Sequence, residues 1–472
     1  MLRIVEKTTG AAGVNRRELL RAGGLSLFGG LSLENYLRAA ALGGAVRKSQ
    51  IKSVVLYNLL GGPSHMDMFD LKPEAPAEIR GEFKPITTSV PGLFISEHLP
   101  NMSRLMHRAC LIRTISHTYD SHDPLPIMTG FTGGNAQLQA QPTDPPDIGA
   151  ICQYLNIGPS DVPGAVCLPC YPGWGENGYR RGGPYGGFLG SRYDPLFAQC
   201  NPTFEREPKQ NYYDPVMPIG EPILTGLDRD GLVTNIRFDS RRSLLEKLDE
   251  NVARAAQNVP YDRLNHYQQK AFDLISARKT RAAFDLSQEA DSVRDRYGRN
   301  LYGSSMLIAR RLVEAGVPFI SVHQEIFRHY GHSYDMHANN FGMLRDFNLP
   351  ILDKIYPALI EDLDARGLLD STLVIVMGEM GRSPRVNGAG GRDHWPRCGF
   401  SLLTGGGIRQ GFTHGATDKT AAFPTIDPVH PSDLVATIYH LLGIDPNMII
   451  HDRLGRPLTI SSGGSVVRQI LS

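Results

Sequence analysis

The stretch from Asp370 to Trp395 constrains the fold more than any other. The apolar run Thr372-Leu373-Val374-Ile375-Val376-Met377 reads as a buried strand, and it discharges into Gly378-Glu379-Met380-Gly381-Arg382. A glycine-rich turn then leads to Gly391-Arg392-Asp393-His394-Trp395. In open α/β sheets, ligands collect at the carboxyl ends of strands, where side chains face a crevice that loops can close. Glu379, Asp393 and His394 converging on such an edge suit a divalent cation. Taken singly, each also fits a helix cap, an ion pair or a core imidazole.

The arrangement recurs along the chain. Ser53–Leu60 reads as a buried strand that breaks at Gly61-Gly62-Pro63-Ser64-His65-Met66-Asp67. Ala109–Ile115 is a second apolar run, opening into Ser116-His117-Thr118-Tyr119-Asp120-Ser121-His122-Asp123-Pro124. Residues 240–315 switch to helical spacing, clearest at Ser243–Leu248 and Met306–Val313, with Gly316 and Pro318 closing the last helix. Val317–Val322 is then a strand followed by His323, Glu325, His329, His332, Asp335 and His337. A helix over Asn348–Arg366 feeds the Thr372 strand, and this strand-helix-strand crossover implies parallel pairing. A strand at Ser401–Leu403 and a helix at Pro431–Leu442 complete an α/β pattern without internal repeats.

At 472 residues the chain has room for two or three domains or for one large α/β enzyme. Its 41% hydrophobic and 21% charged residues are those of an ordinary globular protein. A net charge of +1, with no basic stripe interleaved with aromatics, argues against a nucleic-acid partner. The segment 1–45 reads as an export signal and linker. Asn15-Arg16-Arg17-Glu18-Leu19-Leu20-Arg21 is a twin-arginine pattern, followed by a modest apolar stretch and the small residues Ala39-Ala40-Ala41. A periplasmic or extracellular protein is expected. No segment reaches the ~20 apolar residues that span a bilayer, so the mature protein should have no integral membrane segment.

The main α/β domain is expected over 46–460, with a Gly/Pro-rich insertion at about 138–235 and a C-terminal tail at 461–472. Within the insertion, Pro172–Tyr179 and Arg180–Gly187 look like irregular, substrate-facing cover over a site. The six cysteines are too sparse for a disulfide scaffold. Cys167-Leu168-Pro169-Cys170 lacks the second pair a zinc ribbon needs, which leaves a local disulfide or plain buried thiols.

Four strand ends, far apart in sequence, therefore carry carboxylate or imidazole. Gathered on one sheet edge, they would repel unless a cation or hydrogen bonds compensated the carboxylates. A metal site is the reading these loops favour.

The order of these marks resembles a known family. The twin-arginine leader, Gly61 to Asp67, His122 before Met128-Thr129-Gly130, Tyr334-Asp335-Met336-His337, Gly378 to Pro384 and Gly391 to Pro396 look like the exported, sulfatase-like family catalogued as the domain of unknown function DUF1501, placed in the alkaline phosphatase superfamily. The resemblance runs from Asn15 to Pro446. It implies a large mixed, mostly parallel sheet flanked by helices and a centre of one or two divalent cations, zinc, manganese or calcium. It also implies hydrolysis of a sulfate or phosphate ester on a small molecule or polysaccharide. By position, it implies metal ligands at His65 or Asp67, Asp335, His337, Glu379 and His394, to which the residues themselves add Asp393. Arg382 would hold the substrate anion.

The nucleophile departs from the sulfatase pattern. The Cys-x-Pro-x-Arg motif of sulfatases is absent. Cys167-Leu168-Pro169-Cys170-Tyr171 matches its first and third positions but has Tyr171 in place of Arg. Ser121, beside His122, is the first candidate, with Thr118 and a metal-activated water as others. The missing motif also favours a second reading, a non-catalytic scaffold of the same fold that binds anionic glycans or partner proteins at the cell surface.

Overall fold

The computed structural model describes residues 49–133, 139–175, 179–207, 216–224, 278–325 and 333–472. The twin-arginine segment, the helical pattern at Ser243–Leu248, and His329 and His332 lie outside the described residues.

Eight strands make one sheet: β1 (Ser53–Asn58), β2 (Ala109–Ile115), β3 (Ala165–Leu168), β4 (Leu196–Phe197), β5 (Phe319–His323), β6 (Thr372–Met377), β7 (Gly399–Gly405) and β8 (Phe412–His414). Their order across the sheet is β8, β2, β7, β6, β1, β5, β3, β4. Central β1 pairs in parallel with β6 (Tyr57 beside Val376) and with β5 (Tyr57 beside Val322). β7 runs antiparallel to both β6 and β2, and all other pairings are parallel. The sheet is thus large, mixed and mostly parallel. The chain passes from β6 to β7 through a loop without a crossover helix, and that short return allows the antiparallel direction.

Alternate residues of the strands face opposite layers, as the two-residue period requires. Val55, Tyr57, Val374 and Val376 share one core cluster with Leu307 and Leu312 of α2 (Leu301–Ala315) and Leu352 and Leu359 of α3 (Leu349–Ala365). Val54, Leu56, Leu373 and Ile375 share the other with Ile148 and Ile151 of α1 (Ile148–Tyr154) and Leu434 and Ile438 of α4 (Pro431–Leu441). Helices therefore cover both faces, which is why the central strands read as unbroken apolar runs.

Local chemistry sets the helix ends. Asn300 Oδ1 accepts from Gly303 N at 2.9 Å at the start of α2, and Gly316 closes it in the left-handed conformation. His430 and Asp433 form a reciprocal cap on α4, with Pro431 in its first turn. The last residues pack onto the domain: Ile470 is buried and Ser472 N donates to Gly407 O at 3.1 Å. No helix among the described residues is long and apolar enough to cross a membrane.

Candidate metal centre

β2, β5 and β6 all run the same way, so the loops that leave them open on one edge of the sheet. The loop after β2 brings His122, the chain beyond β5 brings Asp335 and His337, and the loop between β6 and β7 brings His394. One ligand atom from each lies within 4.8 Å of the corresponding atoms of the others. No residue with a side chain would fit in place of Gly61 or Gly391. A Cβ on Gly61 would strike the backbone N of Asp335, and one on Gly391 the backbone of His337.

The three imidazoles share one arrangement. Each turns its Nε2 toward Asp335 Oδ1, at 3.1 Å from His122, 3.1 Å from His337 and 3.5 Å from His394. Each turns its Nδ1 to a different carboxylate. His122 meets Glu379 Oε1 at 2.9 Å, His337 meets Asp393 Oδ1 at 2.9 Å, and His394 meets Asp120 Oδ1 at 2.7 Å. A carboxylate can only accept, so each Nδ1 donates to its own carboxylate, and each Nε2 presents either a proton or, to a cation, a lone pair beside the one Asp335 oxygen. That concentration of lone pairs is repulsive without a cation or protons among them. The Nε2 of His394 is buried with no hydrogen-bond partner. Three carboxylate-braced imidazoles and one carboxylate are a donor set that fits a divalent cation.

The electrostatics agree. Burial works to lower the pKa of His122, but its hydrogen bonds to Asp335 and Glu379 outweigh that and push it up to about 9. Hydrogen bonding to Asp335 also raises that of His337. Burial would raise the Asp335 carboxyl, yet hydrogen bonds from His122 and His337, with the His394 imidazole beside them, hold it far below the usual carboxylate range. The cluster opens to solvent on one side, where the His337 side chain is 40% exposed.

Several expected ligands stand outside this group. Glu379 braces His122 and also accepts from Gly61 N at 2.8 Å, and Asp393 braces His337, so both act through an imidazole. Asp67 is fully committed elsewhere. It forms a two-pronged ion pair with Arg392 at 2.8 and 2.9 Å and accepts from Ser64 Oγ at 2.6 Å and Asn340 Nδ2 at 2.9 Å. His65 points its Nε2 at Ala421 O, 2.8 Å away. Neither joins the cluster, because the segment after β1 turns its glycines, rather than these side chains, toward Glu379 and Arg382.

Arg382 is not an open anion clasp. Its Nε donates to Gly62 O at 2.9 Å, Nη1 to Arg392 O at 3.0 Å, and Nη2 to Gly61 O and, at 2.6 Å, to Asp335 Oδ1. The guanidinium is wholly buried and fastens the glycine turn to Asp335.

Ser121 lies next to the cluster in the chain, and its Oγ donates to Asp123 Oδ2 at 2.8 Å. Tyr119 donates to the same oxygen at 3.0 Å. Burial pushes the Asp123 carboxyl up to about 6. The cover segment reaches this loop, since Arg181 Nη1 donates to His122 O at 3.2 Å. Of the other ligand-type residues after β5, His323 sits beside Asn58 Nδ2 at 3.1 Å and Glu325 Oε2 accepts from Gly173 N at 3.0 Å. Asp120 was not among the expected site residues. The only trace of it in the sequence is its place in the dense loop Ser116 to Asp123.

A family model described as "Protein of unknown function (DUF1501)" matches residues 51–471. No curated protein matches the chain. Among solved structures it is similar to Ps i-CgsB in complex with k-i-k-neocarrahexaose, at 13% identity and TM-score 0.38, covering 84% of this chain and 73% of that one. It is also similar to PsFucS1 sulfatase from Pseudoalteromonas sp., at 14% identity and TM-score 0.35, covering 91% and 72%. A third is the phosphonate monoester hydrolase SpPMH from Silicibacter pomeroyi, at 13% identity and TM-score 0.32, covering 90% and 76%. Likenesses of this size carry no weight for the chemistry.

Proposed function

The chain belongs to the DUF1501 family, and we propose that this member is an exported, metal-dependent hydrolase of sulfate or phosphate esters. The observation that carries the reading is the convergence of the three Nε2 atoms of His122, His337 and His394 on Asp335, each imidazole held from behind by its own carboxylate. A divalent cation held by these four residues would supply Lewis acidity, polarising an ester oxygen and easing deprotonation of an attacking hydroxyl.

The remaining steps belong to the chain's own groups. Ser121 Oγ is the candidate nucleophile. It is already hydrogen-bonded to Asp123 Oδ2 at 2.8 Å, and a carboxylate near pKa 6 is well matched to accept its proton at neutral pH. Arg382 keeps Asp335 aimed into the cluster. Arg181 brings the Gly/Pro-rich cover onto the same loop, where it can exclude water from the reaction.

The test is metal analysis of the purified protein together with turnover of aryl sulfates and aryl phosphates. Wild type should hold metal that His394→Ala and Asp335→Ala lose, and Ser121→Ala should hold metal but not turn over. Equal, trace metal content in all of them would sink the reading.

One observation favours a second reading, a metal-stabilised scaffold that binds anionic ligands without hydrolysing them. The guanidinium that the resemblance assigns to the substrate anion has its donors engaged inside the protein. Turnover of any ester in the panel removes that alternative.

A further inference from the structure

Cys167 and Cys170 are the closest cysteines in sequence, yet they are not the pair whose sulfurs meet. The Cys167 thiol donates to the backbone O of Cys170 at 3.3 Å. The Cys170 thiol instead lies beside the side chain of Cys200. The approach begins in the sheet. β3 and β4 run parallel with Val166 beside Leu196 and Cys167 beside Phe197. The ladder continues with Ala198 N donating to Cys167 O at 3.1 Å. Both strands end before the cysteines, and the segments that leave them bring the Cys170 and Cys200 side chains beside one another. Both residues belong to one buried cluster, and Trp174 Nε1 donates to Cys200 O at 3.3 Å, holding the two segments together beyond the strands.

We propose that Cys170 and Cys200 form a disulfide under oxidising conditions, tying the edge strand β4 to β3 beneath the Gly/Pro-rich cover. Adjacent strands lie about 5 Å apart, so the segments leaving β3 and β4 set out from within the Cα separation that a disulfide bridges. The reaction needs a disulfide-bearing oxidant. The thiolate of Cys200, the more exposed of the two at 5% against 1%, attacks one sulfur of that oxidant and expels the other as a thiolate. The thiolate of Cys170 then attacks the Cys200 sulfur, closing the new bond and releasing the second thiolate. The two cysteines give up two electrons and two protons, and the oxidant leaves as two thiols. Burial pushes the Cys170 thiol well above its usual range, so the step is slow in the closed chain and proceeds when the edge strand opens. The enclosed segment carries Arg181, which donates to His122 O, so the bond would also secure the cover against the loop of the metal centre.

The experiment supplies its own oxidant and is therefore independent of the proposed export and activity. The full chain is incubated with oxidised glutathione, denatured, alkylated without reductant and weighed by mass spectrometry. The expected product has four of its six thiols alkylated, has lost two hydrogens, and yields a linked peptide pair containing Cys170 and Cys200. Cys170→Ala and Cys200→Ser should each alkylate at all five remaining thiols, whereas Cys167→Ala should keep the bond. The thermal midpoint of oxidised wild type should fall on adding reductant, and that of the Cys170→Ala variant should not move. Alkylation of all six wild-type thiols, glutathione left attached at either position, or a bond joining Cys167 to Cys170 would overturn the proposal.

Discussion

Asp120 Oδ1 lies 2.7 Å from His394 Nδ1, although 274 positions separate them in the chain. The contact decides which nitrogen of His394 carries the proton. It leaves Nε2 facing Asp335 Oδ1 at 3.5 Å, where a cation can take the place of a proton. Glu379 does the same for His122 and Asp393 for His337. The centre is therefore two layers deep, and the outer layer is made of carboxylates that touch no ligand position themselves.

Replacing an outer carboxylate should loosen the metal without unfolding the chain. Asp120→Asn removes the charge that holds the His394 tautomer, and such partners typically contribute 10- to 100-fold in metal affinity. A competition titration with a chromophoric zinc chelator should show a loss of about that size. The thermal midpoint of the metal-free protein should barely change, because the Asp120 side chain is 55% exposed. An affinity equal to wild type would mean that the Asp120 contact plays no part in holding the cation.

The metal-free and metal-loaded proteins should respond to pH in opposite senses. His122 is raised in the folded chain from the ordinary 6.5 to about 9. Its protonation therefore contributes stability that is fully present below pH 6.5 and is lost as pH rises through about 9. Metal binding must displace that proton, so affinity should climb over the same interval and level off above it. Thermal midpoints measured from pH 6 to 10 with chelator should fall, while the upward shift on adding zinc should grow. A metal-induced shift that is flat across this range would contradict the assignment of His122 as a ligand.

How far the sequence shows this arrangement depends on what each residue answers to. β2 and β6 match the apolar runs Ala109–Ile115 and Thr372–Met377, because strands covered on both faces leave unbroken apolar segments. The antiparallel direction of β7 has no such mark, since direction is set by the path of the connecting loop. Asp335, His337 and His394 were legible as candidate ligands from their places after strands, and the fold brings the three together. His122 was legible as a site residue, but its company was not. Asp67 and Asp335 look alike in sequence, each after a strand and two residues from a histidine. Only the arrival of Arg392, 325 positions away, makes Asp67 part of an internal ion pair. Asp120 and Glu379 took their roles from which imidazole the fold delivered to them, and no local pattern encodes that.

Arg382 should behave as a structural cation. Arg382→Ala would leave the carbonyls of Gly61, Gly62 and Arg392 without their donor and Asp335 without its nearest positive charge. Breaking a buried pair in this way costs about 3–5 kcal/mol. Urea denaturation of the chelator-treated protein should register that loss, with weaker metal binding alongside it. If stability were unchanged and only turnover fell, Arg382 would be contacting substrate after all.

Asp67 offers the sharpest separation between a ligand and an internal ion pair. Both Asp67 and Arg392 have fully buried side chains, joined at 2.8 and 2.9 Å. Asp67→Ala would strand the guanidinium inside the protein, again at a cost of about 3–5 kcal/mol. Adding Arg392→Met to the same chain should recover only part of that, because Arg392 also donates to the carbonyls of Ile79, Ser383 and Pro384. Metal stoichiometry, measured on whichever fraction remains folded, should stay at the wild-type value in both variants, since Asp67 lies outside the cluster of His122, Asp335, His337 and His394. A folded Asp67→Ala protein with near-normal stability and no bound metal would reverse the assignment and place Asp67 among the ligands.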